Sequence, residues 1–218
     1  MENIKLIFDF DSTILKLETI EVLADFALEN NKKKDLILHQ IKSITDQTME
    51  GKIDFSIALD KRISLLNITK KNIKDTTDSL QNQLSNSFNL NIEKFNTEKC
   101  FIISGGFKEI ILPIMTPFGF KEENIYANSF KFDNKGYAGI NKSNDLSKTR
   151  GKCLVAEKIN GFKIIIGDGY TDYELKKYNN ANIFILFTEN VHRKKLNKNA
   201  DYLASNFKEV YEITKNVK

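Results

Sequence analysis

Ile4-Lys5-Leu6-Ile7-Phe8-Asp9-Phe10-Asp11-Ser12-Thr13 decides the fold of this 218-residue chain. Ile4 to Phe10 is almost unbroken in its apolar character, which predicts a strand buried on both faces. Alternate residues of a strand point the same way. Asp9 and Asp11 are therefore expected side by side where the strand ends. Two carboxylates leaving a buried strand repel each other and lose hydration. They are tolerated when a cation lies between them or when one is held protonated. A solvated turn, the common setting for paired acids, fits poorly behind so apolar a strand.

The segments that follow change character twice. Leu17 to Ala27 carries apolar residues at helical spacing, and three more helical stretches run to about Leu84. One contains Phe55, Ile57, Leu59, Ile63 and Leu66; Thr69 is placed to cap the next. No convincing strand occurs in 15–85, so these residues are read as an inserted helical domain. Strand-helix alternation resumes at Lys99. Cys100 to Ser104 reads as a buried strand, and Gly105-Gly106 as the opening of a helix to about Met115. Phe130 to Ile140 reads as a hairpin about Asp133-Asn134-Lys135-Gly136. Gly151 to Asn160 is read as a helix, Phe162 to Asp168 and Asn182 to Phe187 as strands, and Asn206 to Asn216 as a closing helix. Such alternation implies an α/β fold with a parallel sheet flanked by helices, whose ligands bind at the carboxyl ends of the strands. The expected domains are a core of 1–14 and 86–218 and a helical insertion of 15–85.

Three strand ends and one helix start carry the polar groups. Asp9 and Asp11 follow the first strand. Ser104-Gly105-Gly106 supplies a hydroxyl and unhindered amides, an anion cradle if it opens a helix and an ordinary turn if it stands alone. Gly167-Asp168-Gly169-Tyr170-Thr171-Asp172 sets two further carboxylates beyond a buried strand, with glycines that permit a tight turn. Lys152, at the start of the preceding helix, can reach the same edge. Four acids converging with a lysine, a serine and glycine amides form a site for a divalent cation and a phosphate. A hard cation such as Mg²⁺ takes oxygen ligands, and lysine and amides meet phosphate oxygens.

Composition narrows the alternatives. There are 33 basic and 29 acidic residues, a net charge of +4, and no basic block interleaved with aromatics. Nucleic acid is not an expected partner. No apolar run is long enough to span a bilayer and no secretory leader is evident, so a cytoplasmic chain without membrane partners is expected. Cys100 and Cys153 lie in or beside apolar stretches without metal-ligand spacing and read as reduced core residues. His39 and His192 read as surface residues. The oligomeric state is open.

The ordered set Asp9-x-Asp11-Ser-Thr, Ser104-Gly-Gly-Phe, Lys152 and Gly167-Asp168-Gly-x-x-Asp172 resembles the haloacid dehalogenase (HAD) superfamily of phosphohydrolases. Asp9 to Thr13 with Glu18-Thr19-Ile20, Met49 to Phe55 and Arg62 is similar to its phosphoserine phosphatases. The resemblance implies a Rossmann-like core with a small all-helical cap of the C1 type. It implies a Mg²⁺-dependent phosphomonoesterase working through an aspartyl-phosphate, acting on a small phosphorylated metabolite, O-phosphoserine in the last step of serine biosynthesis. It assigns Asp9 as nucleophile and Asp11 as acid/base. Asp9, the Asp11 carbonyl and Asp168 would hold the metal, with Asp172 in its outer shell. Ser104, Gly105 and Lys152 would hold the phosphoryl group, and Glu18, Met49, Phe55, Arg62 and Thr171 would meet the substrate. Thr171 stands where the superfamily commonly has Asn. It keeps a hydroxyl and loses the amide, which bears on how substrate or Lys152 is positioned. Thr188 to Lys198 is longer and more basic than the superfamily leads one to expect. A phosphatase of another small phosphate and a non-catalytic binding protein are the alternatives.

Overall fold

The computed structural model describes residues 4–217. Residues 1–3 and 218, the outer ends of the expected core segments, lie outside them. Six parallel strands form the sheet in the order β3-β2-β1-β6-β7-β8. They are β1 (Ile4–Phe8), β2 (Cys100–Phe107), β3 (Ile125–Asn128), β6 (Phe162–Gly167), β7 (Ile183–Phe187) and β8 (Tyr202–Ala204). A separate antiparallel hairpin joins β4 (Phe130–Phe132) to β5 (Ala138–Ile140).

Alternation along β1 divides the core. Phe8 points to one face and packs against Phe95 and Phe207, with ring centroids 5.7 and 5.9 Å away. Ile7 points to the other, among Ile103, Ile165 and Phe184. The first face is covered by α6 (Lys108–Met115) and α9 (Phe207–Asn216), the second by α7 (Gly151–Ala156) and α8 (Tyr170–Lys177). Each fully buried side chain of this kind contributes about 1.5–3 kcal/mol.

Between β1 and β2 the chain forms α1 (Thr19–Ala27), α2 (Lys34–Met49), α3 (Phe55–Ser64), α4 (Lys70–Leu80) and α5 (Asn86–Asn91). Of the first four, α2 packs on both α1 and α3, α4 packs on α1, and α5 packs on α9. Thr69 caps α4 in a reciprocal box with Asn72, as its position predicts.

Several local expectations are corrected. β1 ends at Phe8, and Phe10–Ile14 forms one wide turn closed by Leu15 N–H donating to Phe10 O at 2.8 Å. Asp11 therefore sits in that turn rather than on the strand. Gly105 and Gly106 do not open a helix. They continue β2, and α6 begins only after Phe107. Glycine fits extended backbone as readily as a helix start, so the dipeptide could not discriminate. The helix from Gly151 ends at Ala156, and Leu66 lies beyond α3. β3, β8 and α8 carry no strong pattern and went unread.

Register brings the polar ends together. Phe8 lies opposite Ile102 on one side and Ile166 on the other. Asp9, Ser104 and Asp168 thus leave adjacent strands within two residues of that line. The strand order also reverses beside β1, the usual place for a ligand crevice.

Candidate active site

Asp9 is extended (φ −71°, ψ 161°) and buried, and its Oδ1 accepts from Phe10 N–H at 2.7 Å. The same oxygen receives the Lys152 ammonium at 2.8 Å. Both contacts fall on Oδ1. Lys152 reaches it from the first turn of α7 and also donates to Asp172 Oδ1 at 2.7 Å. Asp172 Oδ2 accepts from Gly169 N–H at 3.0 Å, closing the first turn of α8. Both Asp172 oxygens are thereby engaged. Gly167 is required there, because a Cβ would overlap the Asp172 carboxyl.

Burial and the Asp172 charge raise the Asp9 carboxyl well above its ordinary range, partly offset by Lys152. Burial by itself would lower Lys152, but Asp172 and Asp9 outweigh it and raise it. The ammonium therefore stays charged between the two carboxylates.

Asp11 faces the neighbouring wall. Its Oδ1 accepts from Thr19 N–H at 2.8 Å and from the Thr19 hydroxyl. Its Oδ2 lies against Gly106, beside the Ser104 hydroxyl. That hydroxyl accepts from Gly106 N–H at 2.9 Å. Burial and the nearby Glu18 charge push Asp11 up to about 7, against the lowering effect of the Thr19 bonds.

Asp168 is fully buried and pushed up to about 7 by burial, despite the adjacent Arg193. Arg193 Nε donates to Oδ2 at 3.0 Å, whereas the buried Oδ1 has no partner among the described residues. Asp9, Asp168 and Asp172 each offer an oxygen within 4.8 Å of the others. An orphaned buried carboxylate oxygen among converging acids fits a divalent cation.

Above these groups lies a small cavity of about 20 Å³, room for about one water. Asp9, Asp11 and Lys152 line one side, and Glu18, Met49, Phe55 and Arg62 the other. Glu18 precedes α1 and accepts from the Ser12 hydroxyl at 2.7 Å. Arg62, buried on α3, donates to Ala58 O at 3.2 Å and to Thr45 Oγ1 at 3.0 Å. Met49 sets its sulfur against Gly169 and 4.0 Å from the Thr171 hydroxyl. Thr171 therefore meets the helical insertion through Met49 and, like Lys152, lines the cavity. Ser104, Asp168 and Asp172 lie beneath the cavity, fully buried.

The structure brings all of the sequence-selected residues to one place, although Ser104 and Gly105 come from a strand. Sequence reading missed Thr45 and Arg193. Thr45 carries no motif. Arg193 lies in the basic segment for which the sequence offered no assignment. His39 and His192 are exposed, and burial pushes the Cys100 and Cys153 thiols up to about 12. Among the described residues no helix is long and apolar enough to cross a membrane.

No protein-family model matches the chain. It is 30% identical over 208 residues to the chloroplastic phosphoserine phosphatase of Arabidopsis thaliana, covering 92% of this chain and 68% of that one. It is 28% identical to the phosphoserine phosphatase of Bos taurus, over 93% of this chain and 89% of that one. A phosphoserine phosphohydrolase-like protein from Francisella tularensis subsp. tularensis SCHU S4 superimposes with TM-score 0.87 at 30% identity, covering 96% of this chain and 98% of that one. A phosphoserine phosphatase holding a phospho-aspartyl intermediate analogue shares the fold, with TM-score 0.76 at 23% identity over 97% of this chain and 98% of that one. With its carboxylates, lysine and glycine strand in this arrangement, the chain belongs to the phosphoserine phosphatase family, phosphoric monoester hydrolases of the HAD superfamily.

Proposed function

We propose that the protein hydrolyses O-phosphoserine to serine and phosphate through an aspartyl-phosphate on Asp9, using Mg²⁺. The observation that carries this reading is the shared cavity. One wall offers reactive carboxylates and Lys152, and the other offers one acid, Glu18, and one guanidinium, Arg62. Phosphoserine has the complementary groups: a phosphate, an ammonium and a carboxylate. Arg62 suits the carboxylate because its donors form a planar fork.

Asp9 Oδ2 carries neither of the contacts made by Oδ1 and is the oxygen assigned to attack phosphorus. Asp11, near 7, holds a proton for the leaving serine oxygen through Oδ2 and later accepts one from the water that cleaves the intermediate. Lys152 and the Ser104-Gly105-Gly106 strand neutralise and orient the phosphoryl oxygens. Asp9, the Asp11 carbonyl and Asp168 would hold the cation. Asp172, with both oxygens engaged, serves in its outer shell and fixes Lys152. When bound, the cation supplies positive charge against the phosphoryl oxygens.

The helices over residues 15–85 act as the cap. A 20 Å³ cavity does not admit phosphoserine, so the cap opens to take it in and closes to exclude water.

The test compares phosphoserine with an aryl phosphate lacking ammonium and carboxylate. Glu18→Gln and Arg62→Ala each remove a charged hydrogen bond worth about 1.5–3 kcal/mol, so kcat/KM for phosphoserine falls roughly tenfold to more than a hundredfold. Turnover of the aryl phosphate changes much less. Equal losses on both substrates, or no preference for phosphoserine by the unaltered protein, would overturn the substrate assignment.

A further inference from the structure

The stretch after β7 touches both chain crossings into the helical insertion. Glu189 accepts from Ser87 N–H at 3.0 Å and from its hydroxyl. Asn190 Nδ2 lies within reach of Ser12, Thr13 and Leu15 carbonyls at 3.1–3.3 Å and of Ser85 Oγ at 2.6 Å. Residues 12–15 lead into the insertion and 84–87 lead out, and the two are joined by Ser85 N–H donating to Ile14 O at 2.8 Å. This anchored backbone sends Arg193 inward. Its Nε donates to Asp168 Oδ2, and one terminal nitrogen lies 3.8 Å from Asp46 Oδ1 on α2.

Asp168 is thus gripped on one oxygen and unpartnered on the other, although both belong to a fully buried carboxylate. We propose that Arg193 is a positioning residue for the metal: it holds Asp168 Oδ2 so that Oδ1 is presented to the cation. The inference rests on the reading of Asp168 as a metal ligand.

Three features support the role. The guanidinium donors are fixed in one plane, so a bond from Nε sets the rotation of the carboxylate as well as its position. The Arg193 side chain is only 11% exposed, so the bond is charge-assisted and shielded from water. Asn190 and Glu189 fix the backbone on which Arg193 stands. The pairs of Arg193 with Asp46 and of Lys195 with Glu50 are exposed on the acidic side and contribute little by comparison. Charge alone acts in the opposite sense, since a cation beside the ligand repels a second one. The sign of the effect on metal affinity therefore separates orientation from charge.

The experiment titrates Mn²⁺ into the metal-free full chain and follows the free ion by electron paramagnetic resonance. The unaltered protein binds one Mn²⁺. Arg193→Ala weakens binding tenfold or more, Arg193→Lys weakens it less, and Asp46→Asn changes it less than threefold. Metal-free melting curves accompany each variant. If Arg193→Ala is misfolded, Arg193→Gln carries the same comparison, with the same tenfold loss expected. Unchanged or tighter Mn²⁺ binding by a folded Arg193→Ala or Arg193→Gln overturns the proposal, as does an equal loss in Asp46→Asn. Absence of Mn²⁺ binding in the unaltered protein would instead overturn the metal reading itself.

Discussion

The ring of Phe55 lies directly on the Cα of Gly105, so close that a Cβ at residue 105 would overlap the ring edge. This contact joins the helical insertion to the strand assigned to hold phosphate. Gly105→Ala forces the ring outward and holds the insertion away from the core. We expect kcat/KM for phosphoserine to fall at least tenfold. Phe55→Ala removes the obstacle, and so the double variant should lose less than the sum of the two single losses. Strict additivity in steady-state kinetics would show that the contact does not govern closure.

Asp9 and Asp11 divide the chemistry differently from the cavity walls. Asp9→Asn removes the proposed nucleophile, and no phosphate should then be trapped on the protein. Asp11→Asn keeps Asp9 and loses the proposed proton donor and acceptor. With a leaving group that needs no proton, the intermediate should still form and then persist. Rapid quench with labelled phosphate and peptide mapping reads both; phosphate on a residue other than Asp9 would reverse the assignment.

Stability should depend on pH in an unusual direction. Asp11 and Asp168 are each raised from about 3.8 to about 7 in the folded chain. The folded state then binds more protons than the unfolded state between these values, so stability falls as pH rises. The contribution is complete below about pH 4 and lost above about pH 7. A cation held by Asp168 would replace the proton on that carboxyl and restore part of this stability at neutral pH. Melting of the metal-free chain should therefore shift down from pH 5 to pH 8, and Mg²⁺ should raise it more at pH 8 than at pH 5. A cation effect independent of pH would contradict this linkage.

Thr45, buried on α2, accepts from Arg62 inside the insertion and stands behind the cavity-lining guanidinium. Thr45→Val keeps the shape and removes the acceptor. Losing one such bond costs about 1 kcal/mol, hence a roughly fivefold higher KM for phosphoserine with kcat little changed. Thr45→Ser should restore the unaltered value. A fall in kcat that serine does not rescue would point to general loosening of the insertion.

What could be read from the chain alone was governed by local rules. The run from Ile4 to Phe8 reads as a strand because, Lys5 apart, it is apolar; Ile7 and Phe8 are buried on opposite faces and Ile4 to Leu6 are partly buried. Thr69 had to cap a helix because its hydroxyl reaches an amide three residues on. Asp9 and Asp168 had to share the carboxyl edge because both follow buried strands of one parallel sheet; the pairing of β1 with β6 then made them neighbours. Local rules fell silent where the deciding partner is distant. Gly105-Gly106 suited strand and helix start equally; they lie in an irregularity of the ladder, and the return of β3 pairing at Phe107 keeps them within the strand. Tyr202–Ala204 is three residues long and exists as a strand only because β7 offers its edge. Arg193 is one cation among many in its segment, and nothing in its neighbours names Asp168. Only folding, which pins Glu189 and Asn190 to the crossings of the insertion, carries that guanidinium 25 residues back along the chain to a buried carboxylate.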